Sequence, residues 1–146
     1  MNESKNFYYK TRYSYFVNRL LEVHYMFDIE TLREYCLSQK GATEGLPFGP
    51  DVLVFKVMNK MFALLPLASE RLQINLKMDA ELVPEYREKY TGVLPGYHMN
   101  KSLWNTVLVE HSDLSVKEIK WMIDHSYVEV VKKLPKKLQA ELNAIN

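Results

Sequence analysis

Arg71–Met78 reads RLQINLKM, and its alternation decides the fold. Arg71, Gln73, Asn75 and Lys77 fall on one side of an extended chain, and Leu72, Ile74, Leu76 and Met78 on the other. A period of two with one polar face belongs to an antiparallel sheet that is packed on one side and wet on the other. Upstream, Asp51–Val57 and Met61–Leu67 are runs of Val, Leu and Phe that read as two further strands. Asn59-Lys60 between them is a tight-turn signal, because Asn tolerates positive φ. Pro66 ends the second run and Ser69-Glu70 turns the chain into the third, so the three strands form a meander. Gly45–Pro50, GLPFGP, is loop punctuation ahead of it.

Downstream lies Gly92–Leu108, GVLPGYHMNKSLWNTVL, which crowds two aromatics, a histidine, a lysine and two asparagines around a turn signal. Val93–Gly96 is expected to be a turn or bulge. Tyr97–Met99 and Leu103–Val109 are expected to be short strands flanking Asn100-Lys101-Ser102, which brings the sheet to about five strands. Helical periodicity fills the remainder. Asp28 is a good N-cap for a helix over 29–39, with Gly41 as its stop. Asp79 precedes a second helical pattern, where Pro84 demands a late start or a kink. Ser115 and Glu118 form a capping-box pair opening an amphipathic helix over 116–132. Leu134-Pro135 breaks it, and Pro135 can open a last short helix through Leu142. The expected architecture is α+β: an antiparallel sheet backed by helices, with helices at both ends of the domain.

Composition bounds the functional classes. With 146 residues, 47% hydrophobic and 25% charged, the chain suits one domain with a real core. A net charge of +1 argues for neither a polyanion binder nor an acidic chaperone, and a single cysteine allows no internal disulfide. No apolar run reaches the length of a membrane span and no secretory signal is evident, so a cytoplasmic monomer without membrane association is expected. Residues 1–27 differ from the rest and hold eight of the chain's eighteen aromatics. They are set apart as an atypical extension, translated from upstream of a start at Met26, ahead of one domain over 28–146. A basic-aromatic arm that stacks on bases or lies on a membrane surface is the functional alternative. Four of the 19 basic and two of the 18 acidic residues fall there, leaving the domain near −1.

No catalytic constellation assembles from the sequence. His24, His98, His111 and His125 lack metal-ligand spacing, and there is no phosphate-binding glycine loop. Cys36 sits on the apolar face of its helix and reads as a buried small hydrophobe. The expectation is a protein without enzymatic activity, cofactor or metal. The Lys132–Lys137 run, KKLPKK, suits either phosphate neutralisation or a helix C-terminal cation cluster. Tyr97, His98, Trp104 and Asn105 make the best site for an alternative reading, a protein- or small-ligand-binding module using the Tyr97–Asn105 region, although strand alternation puts Trp104 and Asn105 on opposite faces.

The stretches DIETLREYCLSQKGATEGLPFGPDVLVFKVMNKMFALL, PGYHMNKSLWNTV and IDHSYVEVVKKLPKKL together resemble the MmcQ/YjbR family of small bacterial proteins, over about 28–143. The middle block is the specific one. Members usually carry a histidine just before the tryptophan, where this chain has Leu103. The resemblance implies a CyaY-like (frataxin-like) fold, and binding of double-stranded DNA through sheet hairpins acting as a double wing. On that basis Asn59-Lys60 would tip one wing and Asn100-Lys101 the other, with Lys56, Arg71 and Lys77 on phosphate. Iron binding by analogy with frataxin would need a dense acidic ridge, which the sequence lacks. A domain near −1 makes a DNA binder only if its basic residues segregate to one part of its surface.

Overall fold

The structure, a computed structural model, describes residues 27–146. The expectations for the preceding residues, the extension and its basic-aromatic arm, lie outside the described part. Six antiparallel strands form one sheet: β1 (Ala42–Gly45), β2 (Val52–Val57), β3 (Lys60–Pro66), β4 (Gln73–Lys77), β5 (Val93–Pro95) and β6 (Trp104–Leu108), in the spatial order β1-β2-β3-β4-β6-β5. Four described helices, α1 (Ile29–Leu37), α2 (Leu82–Lys89), α3 (Val116–Val131) and α4 (Lys136–Asn143), contribute to the main apolar core.

The α+β reading and the meander hold, and the sheet has one strand more than expected. Ala42–Gly45 pairs with β2 although only Ala42 has an apolar side chain, so no alternation betrays it. Tyr97–Met99 is a turn and not a strand; the strand beside β6 is Val93–Pro95, four residues earlier. Gly96 explains the choice. Its amide donates to the Trp104 carbonyl at 2.9 Å, and a Cβ there would lie 2.7 Å from that oxygen, so only glycine fits so close to the neighbouring backbone.

Helix boundaries follow local chemistry. The Asp28 carboxylate accepts from the Thr31 amide at 2.7 Å while the Thr31 hydroxyl accepts from the Asp28 amide. Ser115 accepts from the Glu118 amide at 3.1 Å. α2 starts late, at Leu82, which puts Pro84 in the first turn where its missing N–H costs no helical bond. The β2–β3 hairpin turns on Met58-Asn59, both at positive φ (46° and 65°), the two-residue turn whose twist matches that of the strands.

The core lies between the sheet and the helices. Leu72, Ile74, Leu76 and Met78 face it with Phe55, Phe62, Val107, Ile119, Met122 and Ile123. The opposite face of the sheet is less wet than the alternation implied. Val54, Leu64 and Trp104 form a second small apolar cluster there, flanked by Met61, Met99 and Leu103. Asn75, on that face, is only 6% exposed, and its amide oxygen accepts from Thr106 at 2.6 Å.

One side chain enters the sheet itself. The β3–β4 pairing runs through Leu64↔Asn75 and Ala63↔Leu76 and would next join Phe62 to Lys77. Phe62 is instead bulged against β2. The buried Ser126 hydroxyl of α3 fills the gap, accepting from the Lys77 amide at 2.8 Å and donating to the Phe62 carbonyl at 2.5 Å. Two backbone groups that would otherwise be buried without partners are satisfied by one helix side chain.

Candidate nucleic-acid interface

The register sorts the charged residues along the strands. Ala42 pairs with Val57, Val57 with Lys60, and Lys77 with Trp104, so the hairpin tip, the end of β4 and the start of β6 lie at one end of the sheet. Lys56, Lys60, Lys77 and Lys101 are all at this end. α3 delivers Lys132 and Lys133 to the same place, because its C-terminal half is tied to the end of β4. His125 Nε2 accepts from the Asp79 amide at 3.1 Å, and Lys132 Nζ lies 4.0 Å from Asp79 Oδ2. Burial holds the His125 imidazole below its ordinary pKa, with Glu129 and Asp79 opposing and Lys132 reinforcing that shift. Glu129, nearly buried, also pairs with Lys132, so a single lysine meets both carboxylates.

The other end of the sheet is acidic. Asp28, Glu30, Glu70 and Glu110 line a cleft of about 470 Å³ between the start of α1 and the β3–β4 turn. Asp113, nearby in the chain, accepts the Thr91 and Gly92 amides at 2.9 Å each, and these bonds hold its carboxylate below the usual range.

This arrangement separates residues that the strand pattern grouped. Arg71 and Lys77 share a face but stand six residues apart, on the order of 20 Å along an extended chain. Arg71 is at the acidic end, where its guanidinium donates to the Glu110 and His111 carbonyls. Lys77 is half-buried, and its pKa is lowered by burial and then by the neighbouring charge of Lys133, with Glu129 opposing. Lys56 points away from the core on β2, while Asn59 and Lys60 are exposed at the hairpin tip. Asn100 and Lys101 do not form a matching tip. The Asn100 side chain accepts from the Ser102 amide at 3.0 Å, and Lys101 Nζ donates back to the Gly96 carbonyl at 3.0 Å.

The four ligand candidates are not brought to one surface. Tyr97 is 66% exposed, with its ring against His98, which takes a positive φ of 56°. Trp104 is 8% exposed in the small outer cluster. Asn105, 1% exposed, lies on the core side; its oxygen accepts from Arg87 Nε at 2.7 Å and its amide reaches Met78 Sδ at 3.5 Å. Arg87 also donates to the Lys101 and Trp104 carbonyls, so it positions the whole 96–104 connection. Sequence reading missed Arg87 and Ser126. A signal for the first was available: Asn105 sits in an otherwise core-building strand and requires a polar partner when buried.

Cys36 is fully buried, and burial pushes its thiol up to about 12, far from a reactive thiolate. Among the described residues no helix is long and apolar enough to cross a membrane.

Comparison with known proteins adds family membership. The YjbR family model matches residues 37–129. The uncharacterised protein YjbR of Escherichia coli K12 is 31% identical over 107 residues, covering 73% of this chain and 90% of that protein. Among solved structures, Deinococcus radiodurans protein DR2400 superposes with a TM-score of 0.74 at 32% identity, covering 81% of this chain and 89% of the other. A Pseudomonas syringae protein superposes with a TM-score of 0.59 at 31% identity, covering 68% and 96%. With its matching sequence blocks, six-stranded sheet and helical backing, the chain belongs to the YjbR family.

Proposed function

We propose that this chain is a non-enzymatic DNA-binding module that meets the duplex backbone with the lysine-bearing end of its sheet. The observation that carries the reading is the separation of charge along the strands. Lys56, Lys60, Lys77, Lys101, Lys132 and Lys133 gather at one end, and the cleft of Asp28, Glu30, Glu70 and Glu110 lies at the other. A domain with almost no net charge thereby gains a positive surface able to displace counterions from phosphate, with an acidic pole to orient its approach. The β2–β3 hairpin supplies the leading contact, since the Lys60 side chain is exposed beside a rigid two-residue turn. Arg71 is left out of the contact set because it lies at the acidic end.

The test is binding of a labelled duplex by the full chain across a salt series. The logarithm of the affinity falls linearly with the logarithm of salt, with a slope of several units. Lys60→Glu weakens binding about equally for unrelated duplex sequences, as expected of a phosphate contact. Absence of binding at the lowest salt overturns the reading.

A further inference from the structure

The lysine run at the α3–α4 corner is left over from the hairpin contacts. A helix C-terminal role accounts for Lys132 and Lys133, which follow the last turn of α3. It does not account for Lys136 and Lys137. Both are exposed in the first turn of α4, where the helix dipole disfavours cations; that turn has no acidic residue, and Pro135 offers no side-chain cap. Four lysines are thus placed on one corner although the local electrostatics favour only two of them.

We propose that Lys77 and Lys133 together hold one phosphate of a bound duplex, and that Lys136 and Lys137 continue the contact along the backbone. This rests on the DNA-binding reading above and extends it from the hairpin to the C-terminal corner. The geometry comes from the docking of α3 on β4. The Ser126 hydroxyl receives the Lys77 amide, His125 receives the Asp79 amide, and Lys132 reaches Asp79, so the end of β4 and the end of α3 run side by side. The carboxylates at this junction, Asp79 and Glu129, both meet Lys132. Lys133 forms no ion pair among the described residues and remains exposed. Burial lowers the pKa of Lys77 and the positive charge of Lys133 lowers it further, with Glu129 opposing, so the two ammonium groups repel. A phosphate oxygen between them converts that repulsion into two attractions.

The experiment uses the full chain, the same labelled duplex and salt series, and three variants: Lys77→Gln, Lys133→Gln and the pair. Thermal melts first establish that each variant is folded. Each phosphate neutralised contributes about 0.9 to the salt slope. Sharing predicts that the double change lowers the slope by about one in all, and that either single change lowers it by that much or less. An additive loss of about two overturns the shared phosphate. Unchanged affinity and slope in the double variant, while the wild type binds, overturn the corner as a contact and leave the hairpin reading standing. A wild type that does not bind removes the DNA reading and this inference with it.

Discussion

Two connections at the same end of the sheet solve the same problem in different ways. The β2–β3 turn reverses the chain with Met58-Asn59 alone, using two left-handed residues and exposing Lys60. The β5–β6 connection takes residues 96–103 and is held by side chains: Arg87 on the Lys101 and Trp104 carbonyls, Thr106 on the Tyr97 amide, and its own Lys101 folded onto Gly96. The first is fixed by its own dihedral angles and leaves its charge outside. The second is fixed by long-range hydrogen bonds and spends its polar groups on itself. Two loops that look like equivalent wings from their Asn-Lys pairs are therefore unequal as contact surfaces.

The largest expected break of this comparison comes from Arg87→Ala. It removes the donor to buried Asn105 and two carbonyl clamps at once, so denaturant unfolding should show a loss of about 2–3 kcal/mol. A loss below about 0.5 kcal/mol would mean that the second connection holds itself, as the first does. Next is Asn59→Ala. At φ +65° alanine is strained, and the expected loss is about 1 kcal/mol, whereas Asn59→Gly should stay within about 0.5 kcal/mol of the parent. Equal effects of the two changes would show that the tip is not governed by its backbone angles.

The smallest effect concerns the ground between the two connections, where His125 accepts the Asp79 amide. Burial lowers its pKa from the ordinary value of 6.5. The unfolded chain therefore takes up the proton before the folded one does. The stabilisation is complete above about pH 6.5 and is lost as pH falls through the lower folded value. Tm should drop with acidification across that interval, and His125→Gln should flatten the drop relative to the parent. A parent and variant with superimposable Tm profiles between pH 7 and 5 would remove His125 from the account.

What was legible in the chain follows the same division. Arg71–Met78, the Asp28 and Ser115 caps and the late start forced by Pro84 are local in origin: side-chain alternation, a carboxylate or hydroxyl on an orphan amide, a missing N–H. Each appears where the residues place it. β1 escaped because ATEG carries no pattern and is held by its partner strand. Tyr97–Met99 misled because its residues favour strands while Gly96 and Trp104 set the backbone beside them. The candidate contacts split likewise. Alternation put Arg71 and Lys77 on one face, but only the register shows which charges gather at each end of that strand, and no spacing rule could bring Lys133 beside Lys77.

The hydroxyl of Ser126 gives one amide proton an unusual meaning. Lys77 donates to a helix where its neighbours along β4 donate to strands, so solvent reaches its N–H when α3 lifts from the sheet. Hydrogen exchange at that single site thus reports subglobal release of the helix, and exchange at Ile74 or Leu76 reports dissolution of the strands themselves.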